Sequence, residues 1–495
     1  MIHTPFKNIN VTLIGLIALC GVLFFFSFVY ESTWWLFLVA FPLFFWILKQ
    51  LASVKKAFLV SWLIGTCKYA GALIWFWSIY PLDWLGLTGV TQLFLIGIYW
   101  LVIIIVIGLS FGLFSLLIFC KKFTWYLMVF LIITTEILGS LLFSLVTIGE
   151  GSLPSFNLSY GYLGYLLVDI QHLQNIALLG GVYSLSLTAA LLSVLFFFVF
   201  EKKYQTSLIC ALCILSLLCV GAYERKEVVF KTLEENIMTI DTRFDTFDLQ
   251  NSAGFRKKKD ETLDAVYTAL KFDVNTIILP EDSRFIDIFL NEDEVLDFLT
   301  VDREKPIRLF DSGRTKNKLN ETVLRGYIFD SKQNTVFTID KQYLVPQGEY
   351  VSYIVDFLLR LLLGADNQWY VQIKNDMSYR PGSKQISMQS NTSLPVILFC
   401  MESNNPYATK KLIIDTPDAP YIVHPFSHGK INNSYIFTFT IDRMLITQSI
   451  WNKIPIVSAG NMAPGKIYLP TGVVSNGETV LRTSFWDLKI HTPDP

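Results

Sequence analysis

Arginine is missing from residues 1–222, and this half holds only 15 charged side chains, nine of them Lys and six Asp or Glu. The other 273 residues hold 66 charged side chains. This share is close to the fraction of roughly one quarter that is usual in globular proteins. No basic tract stands out and the formal net charge is −1, which argues against a nucleic-acid-binding protein. The 53% hydrophobic content excludes disorder, collagen and a small disulfide scaffold. The composition therefore predicts a hydrophobic half joined to a soluble half.

Seven apolar segments of the first half are long enough to be membrane spans. A span needs about 20 residues, with a range of roughly 17–25, and the second candidate is the shortest. We do not interpret the first as a cleaved signal peptide, because no small-residue cleavage site follows it and six more spans do. The predicted spans are Val11–Tyr30, Thr33–Leu48, Ala57–Trp77, Gln92–Ile118, Phe123–Ile148, Leu173–Phe200 and Ser207–Tyr223.

Lysines occur in every second loop between these spans, which predicts the orientation of the chain. Cytoplasmic loops are enriched in Lys and Arg, and the intervening loops contain neither. The N-terminus is therefore predicted to be cytoplasmic. An odd number of spans then puts everything after Tyr223 outside, which in a bacterium is the periplasm. The basic positions are Lys7, Lys49, Lys55, Lys56, Lys121, Lys122, Lys202 and Lys203, and the intervening loops carry Glu31, Asp83, Glu150 and Asp169.

Two features of this half carry polar chemistry. Lys68 and Glu136 lie within predicted spans, where ionisable residues often mark functional sites; the simpler interpretation is that they pair with each other or reach the membrane surface. Residues 149–172 form a long connection rich in Gly, Ser and Tyr. Long loops are often functional, and aromatic rings also anchor proteins at the membrane surface, so both a gating and an anchoring role stay open.

The second half alternates short β-rich runs with helical segments, which predicts an α/β domain. The polar segments Asp311–Asn320 and Asp376–Thr392 are predicted to be surface loops. The predicted helices are Lys257–Phe272, Ser352–Leu363 and Ser434–Trp451. The predicted strands are Asn236–Asp241, Thr276–Leu279, Val336–Ile339, Val396–Phe399, Tyr421–Val423, Ile454–Ser458 and Gly472–Val474.

Cys400 is the only one of seven cysteines that lies in the second half. On that count alone it is either a buried, inert residue or a reactive thiol. It ends an apolar strand, and two other strands end at Glu281 and at Lys341, at the kind of edge where α/β folds collect their chemistry. Together the three suit acyl transfer through a thioester. Cys400 would be the nucleophile, Glu281 the acid and base, and Lys341 the charge that lowers the thiol pKa and stabilises the oxyanion.

At this point the chain resembles the nitrilase superfamily, and more closely its membrane-embedded branch, the apolipoprotein N-acyltransferases. Four motifs spread over nearly the whole chain carry the resemblance. The longest is Asp-Lys-Gln-Tyr-Leu-Val-Pro-Gln-Gly-Glu-Tyr-Val, residues 340–351, which is similar to the family's Asp-Lys-x-x-Leu-Val-Pro-Phe-Gly-Glu-Tyr-Val. The others are Leu279–Glu281, Cys400–Glu402 and the membrane segment Gln174–Leu187.

The resemblance implies a polytopic α-helical membrane bundle, residues 1–223, followed by a periplasmic catalytic domain, residues 224–495, with a nitrilase-like α-β-β-α sandwich. It implies that Glu281 is the base, Lys341 the oxyanion partner and Cys400 the nucleophile, with Glu349 and Glu402 as supporting carboxylates. The implied reaction moves an acyl chain from a phospholipid to Cys400 and then to the α-amino group of a diacylglyceryl-modified lipoprotein cysteine. The implied location is the bacterial inner membrane, and no metal or cofactor is implied.

The chain departs from the family sequence in several places. Gln347 replaces a Phe, Met401 replaces a Tyr, and His424–Lys430 stands where the family has an Asn-Asp-x-Trp-Phe loop. Residues 484–495 are too short and polar for the further span with which family members commonly end, so the soluble domain is expected to be tethered at one end.

Other functions stay open. One is a membrane-tethered amidase or nitrilase-type hydrolase that uses water, another is an acyltransferase with a different amine acceptor, and a third is a divergent relative without activity. A Cys–His mechanism through His424 or His428 is a further alternative, although we predict both to be surface or loop residues.

Overall fold

The fold is described from a computed structural model. The structure describes residues 11–85, 87, 89–120, 124–245, 252–301, 305–382, 394–431 and 434–492. Lys7, Lys121 and Lys122, and most of the predicted surface loop 376–392, lie outside the described residues.

The first half is a bundle of long apolar helices. Within the described residues, six helical segments are long and apolar enough to cross a membrane, and the predicted third span is not among them. That segment forms α3 but carries Lys55, Lys56 and Lys68, which make it more polar than its neighbours. The helices are α1 Val11–Val29, α2 Phe37–Gln50, α3 Val54–Ala72, α4 Val90–Cys120, α5 Trp125–Val146, the short α6 Gln171–Gln174, α7 Ala177–Phe200 and α8 Tyr204–Glu227.

Despite its polarity, α3 runs the full depth of the bundle. It begins four residues after α2 ends, at the end of the bundle where Lys49 pairs with Glu201. Just beyond its other end, Trp75 packs on Phe437 of the second half, with 4.7 Å between ring centroids. Lys49, Lys55 and Lys56 therefore lie at the end of α3 that is remote from its contact with the second half.

The second half consists of short strands and helices. Its helices are α9 Ser252–Ala269, α10 Glu292–Thr300, α11 Tyr353–Leu363, α12 Gln368–Asp376, α13 Pro406–Asp415 and α14 Tyr435–Asn452. Its strands are β1 Ile237–Thr242, β2 Thr276–Ile278, β3 Arg308–Lys316, β4 Thr322–Asp330, β5 Thr335–Asp340, β6 Val396–Ile397, β7 Ile422–Ser427, β8 Ile456–Asn461, β9 Ile467–Tyr468, β10 Val474–Ser475, β11 Glu478–Arg482 and β12 Trp486–His491.

The prediction that Asp311–Asn320 is a surface loop is wrong, because most of this segment belongs to β3. Its first two polar residues, Asp311 and Ser312, are buried with partners: Oδ2 of Asp311 accepts a hydrogen bond from the Ile286 N–H at 2.9 Å. The hydroxyl oxygen of Ser312 accepts one from the Asp282 N–H at 2.9 Å. These hydrogen-bond partners lie in the segment that follows β2. The polar sequence of residues 311–320 does not indicate them.

The strands form one mixed sheet that is folded into two facing halves. In the first half, β1, β2 and β3 are parallel and continue into antiparallel β4 and β5, while β12 and β11 extend it beyond β1. In the second half, β6, β7 and β8 are parallel and continue into β9 and β10. The halves meet at the single pair Thr242 and Asn461. Their facing sides share a core that includes Ile278, Phe310, Phe399, Val423 and Val457.

Helices cover both outer sides of the folded sheet. The first half packs on α9 and α10 through residues such as Ile277, Val266 and Leu296. The second half packs on α13 and α14, and these residues belong to the same apolar core as the membrane helices. The predicted fold class is therefore confirmed: a helical membrane bundle followed by an α-β-β-α sandwich. The predicted division at residue 224 stays a prediction.

Candidate functional site

Three strand ends bring the predicted catalytic residues together. Glu281 lies three residues after β2, and Lys341 follows β5 directly. Cys400 lies three residues after β6 and opens a short 3-10 helix that ends at Asn404. The second half of the sheet faces the first, so the Cys400 turn comes to lie beside the ends of β2 and β5.

Lys341 is the centre of a buried ion-pair network. Its side chain is fully buried, and its Nζ donates hydrogen bonds to Oε1 of Glu281 and to Oε1 of Glu349, both at 2.7 Å. The Val345 N–H donates to the other oxygen of Glu349 at 2.7 Å. Burial disfavours the charged ammonium, but the two carboxylates outweigh it and raise the pKa of Lys341. Lys341 therefore stays protonated at neutral pH.

Glu402 ties the Lys341 segment to the Cys400 turn. Its Oε1 accepts a hydrogen bond from the Gln342 N–H at 2.8 Å, and its Oε2 accepts one from the Phe399 N–H at 3.1 Å. Burial raises the pKa of this carboxyl, although these N–H groups oppose the shift. The side chain of Glu402 thus links Gln342, which follows Lys341, to Phe399, which precedes Cys400.

The electrostatics of the site separate the roles of Cys400 and Glu281. Burial and the nearby Glu281 raise the pKa of the Cys400 thiol to about 12, and Lys341 only partly opposes this shift. Lys341 thus acts on the thiol pKa in the expected direction, but burial and Glu281 outweigh it in the resting site. Burial raises the pKa of Glu281 to about 7 against the opposing charge of Lys341. A neutral thiol thus stands near a carboxyl that changes protonation at neutral pH.

Cys400, Glu281 and Glu349 line a cavity of about 490 Å³ that extends from the sandwich to the membrane helices. Its wall on the membrane side is apolar and aromatic. Residues of α11 and α12 form another part of the wall. From the membrane half the cavity is lined by Trp75, Phe76, Ile79, Leu82, Leu85, Leu95, Ile96, Tyr99, Phe143, Thr147 and Tyr160, and from α11 and α12 by Val355, Leu359, Gln372, Ile373 and Asp376.

The prediction that His424 and His428 are surface or loop residues is wrong for His424, which is buried in β7, whereas His428 does lie in the loop after β7 but is also buried. Both rings are buried and line the cavity, and His424 belongs to β7. Burial lowers the pKa of His424 to about 4 and that of His428 to about 3, so both are neutral at pH 7. His428 packs on the Phe437 ring, with 4.9 Å between centroids. Their apolar surroundings favour a role in shaping the cavity.

The long connection 149–172 lies against the Cys400 turn. The Ser159 N–H donates to the Asn404 carbonyl oxygen at 2.9 Å, at the end of the helix that Cys400 opens. On the membrane side, Oε1 of Glu136 accepts a hydrogen bond from the Leu163 N–H at 2.6 Å. Lys68 and Glu136 form no ion pair with each other, and the Lys68 Nζ lies 4.6 Å from the centroid of the Tyr69 ring. The connection is thus hydrogen-bonded both to the Cys400 turn and to the membrane helices.

Sequence reasoning missed the cationic residues that also line the cavity, namely Lys258, Arg314 and Lys430. Arg314 belongs to the strand that was predicted to be a loop, and Lys258 lies on the predicted helix α9. Lys430 was noted as part of a departure from the family sequence, without a role. Their charge alone gave no signal, because most lysines and arginines are solvated.

One comparison with known proteins finds a match within the membrane half. The family model described as the apolipoprotein N-acyltransferase N-terminal domain matches residues 20–195. Among curated proteins, none matches this chain significantly.

Solved structures align with about half of the chain at low similarity. An amidase from Nesterenkonia sp. is 13% identical with a TM-score of 0.35, over 54% of this chain and 92% of its own. A carbon-nitrogen hydrolase from Helicobacter pylori is 12% identical with a TM-score of 0.33, over 51% and 89%. A glutamine-dependent NAD+ synthetase from Acinetobacter baumannii is 12% identical with a TM-score of 0.34, over 52% and 45%.

Proposed function

We propose, from the match of residues 20–195 to the family model of the apolipoprotein N-acyltransferase N-terminal domain, that the chain is an N-acyltransferase of the bacterial inner membrane. It would move an acyl chain from a phospholipid to Cys400, and then to the α-amino group of a diacylglyceryl-modified lipoprotein cysteine. The observation that carries the proposal is that Cys400 and the membrane helices line the same continuous cavity.

In the first half-reaction, Glu281 takes the proton of the Cys400 thiol while the sulfur attacks the ester carbonyl of the donor. The oxyanion that forms is stabilised by the ammonium of Lys341, which Glu281 and Glu349 hold in place. The intermediate then breaks the ester bond, and Glu281 returns its proton to the departing alkoxide. The products are a thioester on Cys400 and a lysophospholipid.

In the second half-reaction, the free α-amino group of the acceptor attacks the thioester carbonyl. Glu281 accepts a proton from the amine, and the thiolate of Cys400 leaves and takes that proton back. The products are an amide on the acceptor and the resting thiol. Because the resting thiol is neutral, its attack depends on a base within reach. The attacking amine also has to lose a proton. We assign both tasks to Glu281.

The cavity wall supports a lipid donor over a water-soluble one. Its aromatic and aliphatic residues come from the membrane helices and from Val355 and Leu359 of α11. An acyl chain can therefore lie between the helices while its ester lies at Cys400. Water-soluble amides need no such wall, and this favours acyl transfer over a hydrolase reaction.

We also propose that the sandwich faces the periplasm. The described loop lysines lie at the far end of the bundle from the sandwich, and cytoplasmic loops are enriched in lysine. Since α3 traverses the bundle with the six more apolar helices, the chain would cross the membrane seven times and place the sandwich opposite the lysine-rich end.

The test is the intact mass of the full-length protein after incubation with phospholipid in detergent. We expect an added acyl mass that hydroxylamine removes, and its complete loss in Cys400→Ser, since the seryl oxygen is a far weaker nucleophile here. Cys219→Ser is the matched control, because Cys219 is an exposed thiol on α8 and should leave the adduct unchanged.

The fate of the adduct distinguishes the alternatives. Transfer of the acyl group to a diacylglyceryl-cysteine peptide as an amide supports the proposal. Release of free fatty acid with no amide product would make the chain a hydrolase. Failure of the wild-type protein to acquire any adduct would contradict both.

A further inference from the structure

Three cationic side chains line the cavity outside the catalytic group. They are Lys258 of α9, Arg314 of β3 and Lys430, which follows β7. The carboxylates of Asp282 and Asp376 line the cavity as well and act on the charge of Lys430. The three cations therefore outnumber these two carboxylates. None of these five residues takes part in the proposed acyl-transfer steps.

Lys430 places one positive charge directly against the catalytic loop. Its Nζ donates a hydrogen bond to the carbonyl oxygen of Gly348 at 2.8 Å, one residue before the carboxylate that holds Lys341. Burial and the nearby Arg314 lower the pKa of Lys430 to about 8, which still leaves the ammonium mostly charged at pH 7. A ligand whose ester lies at Cys400 therefore meets a cation beside that loop.

Arg314 presents a guanidinium to the same cavity. Its Nε lies 3.3 Å from Oδ2 of Asp282, and its side chain is 43% exposed. The guanidinium carbon lies 5.3 Å from the centroid of the Tyr379 ring. Within the described part of the chain, the two terminal nitrogens of Arg314 make no hydrogen bond. A planar guanidinium with such donors is suited to bind a phosphate through two hydrogen bonds.

Lys258 adds a buried charge behind these two groups. Its Nζ donates to the carbonyl oxygen of Asp282 at 2.6 Å, so it holds the segment that follows Glu281. This contact makes Lys258 part of the scaffold, and a substitution there would disturb Glu281 as well. Arg314 and Lys430 also contact residues beside Glu281 and Glu349, so their substitutions are followed as a ratio between two donors, in which a change of catalytic geometry cancels.

We propose that Arg314 and Lys430 bind the phosphate of a glycerophospholipid donor while its ester lies at Cys400. This inference rests on the proposed acyl transfer, because it names the part of the donor that the polar side of the cavity recognises. One glycerophospholipid carries both an acyl chain for the apolar wall and, a few bonds from its ester, a phosphate for the cations. An acidic acceptor peptide also carries negatively charged oxygens that the two cations can bind. The experiment distinguishes the donor phosphate from the acceptor peptide.

The test compares Arg314→Gln and Lys430→Gln in the full-length protein, with thioester formation on Cys400 followed by intact mass. The donors are phosphatidylglycerol and a diacylglycerol with the same acyl chains, which has no phosphate. We expect each substitution to lower the ratio of kcat/KM for phosphatidylglycerol to that for diacylglycerol by about tenfold, because a charge-assisted hydrogen bond is lost.

Lys316→Gln is the matched control. It removes a cation from the same strand, where the Lys316 Nζ donates to the Thr322 hydroxyl at 2.9 Å, outside the residues that line the cavity. The ratio should remain that of the wild type. Because the readout is a ratio between two donors, a general loss of folded protein or of catalytic geometry cancels.

Three results would overturn the inference. An unchanged ratio in both variants, with thioester still forming, rejects the phosphate site and leaves acyl transfer intact. A rise in KM for an acidic acceptor peptide, with an unchanged donor ratio, assigns the cations to the acceptor. Absence of thioester from either lipid in the wild type is a failure of the proposed function, and the phosphate site fails with it.

Discussion

At neutral pH the Cys400 thiol carries its proton, because burial and Glu281 together raise its pKa to about 12. A nucleophile in that state depends on a base that acts during the attack itself. Glu281 suits this task because burial raises its pKa to about 7, near the pH at which it has to exchange protons. Lys341 remains charged throughout, so the site keeps a fixed cation next to a carboxyl that titrates.

The pH dependence of thioester formation should report the ionisation of Glu281. The carboxylate is the active form, so we expect the rate to fall as the pH is lowered through about 7, where the group takes up its proton. The measurement is the initial rate of Cys400 acylation from about pH 4 to 9, with thermal unfolding followed over the same range as the control. A midpoint near the ordinary value of 4.5 would reject Glu281 as a buried base.

At this scale the sequence predicted the polar residues that follow an apolar strand better than those within a polar segment. Glu281, Lys341 and Cys400 each follow an apolar strand, and an apolar run that ends in a polar residue is visible in one dimension. The burial of Glu349 and Glu402 is consistent with their predicted supporting places, while the five catalytic and supporting roles stay predictions. Arg314 was missed because its strand is polar, and the partners that allow a polar strand are distant in sequence.

Among the elements, the loop after β5 joins the catalytic group to the membrane helices. Gln347 adopts a φ of 58°, a left-handed conformation that is uncommon for residues other than Gly. Its Oε1 accepts a hydrogen bond from the hydroxyl of Tyr99 on α4 at 3.0 Å, and its Nε2 donates to the Ser352 hydroxyl at 2.6 Å. The replacement of the family's Phe by Gln347 thus gives this loop a polar attachment to a membrane helix.

Tyr99→Phe removes that attachment and keeps the ring. We expect the rate of Cys400 acylation to fall about fivefold, since one buried hydrogen bond is lost and the Glu349 loop becomes less constrained. Hydrogen exchange of the amides in residues 345–350 should rise in parallel. Tyr126→Phe is the control, because its ring on α5 is 61% exposed. Equal rates and equal exchange in both variants would remove Tyr99 from loop positioning.

The last strand, β12, shows how pairing with neighbouring strands allows charged residues to be buried. Residues 484–495 look like a polar tail in the sequence, yet β12 lies between β1 and β11 with Asp487 and Lys489 buried. Lys489 pairs with Asp241 of β1 at 2.7 Å, and Arg243 pairs with Asp487. Charged residues can occupy an inner strand when each meets an opposite charge from another strand, and no pattern within the segment itself predicts such partners.

At the scale of the whole molecule, the membrane helices share one apolar core with the second half of the sheet. The length of the apolar runs predicted the helices, because the thickness of a bilayer fixes the length of a span. The depth of contact between bundle and sandwich could not be predicted, since it depends on the shapes of residues far apart in the chain. Gly181 of α7 is one such residue, because it lies directly against Trp451 of α14.

Gly181→Ala should weaken the docking of the sandwich on the bundle. Gly181 has a φ of 61°, and an added Cβ would lie 2.6 Å from Cε3 of Trp451. We expect a loss of about 2 to 4 kcal/mol from backbone strain and overlap, measured as a lower midpoint of thermal unfolding in detergent. Gly15→Ala on α1 is the control, because its Cβ would meet nothing within 4 Å. Equal midpoints would show that α7 and α14 adjust freely.

The position of the cavity, partly walled by membrane helices, has a consequence for selectivity. A water-soluble enzyme gains about 0.8 kcal/mol for each methylene that it takes from water. An acyl chain that moves sideways from the bilayer into this cavity leaves one hydrocarbon environment for another and gains almost nothing per carbon. Chain length should therefore influence binding weakly, and saturation should follow the mole fraction of the donor in the membrane rather than its amount per volume of water.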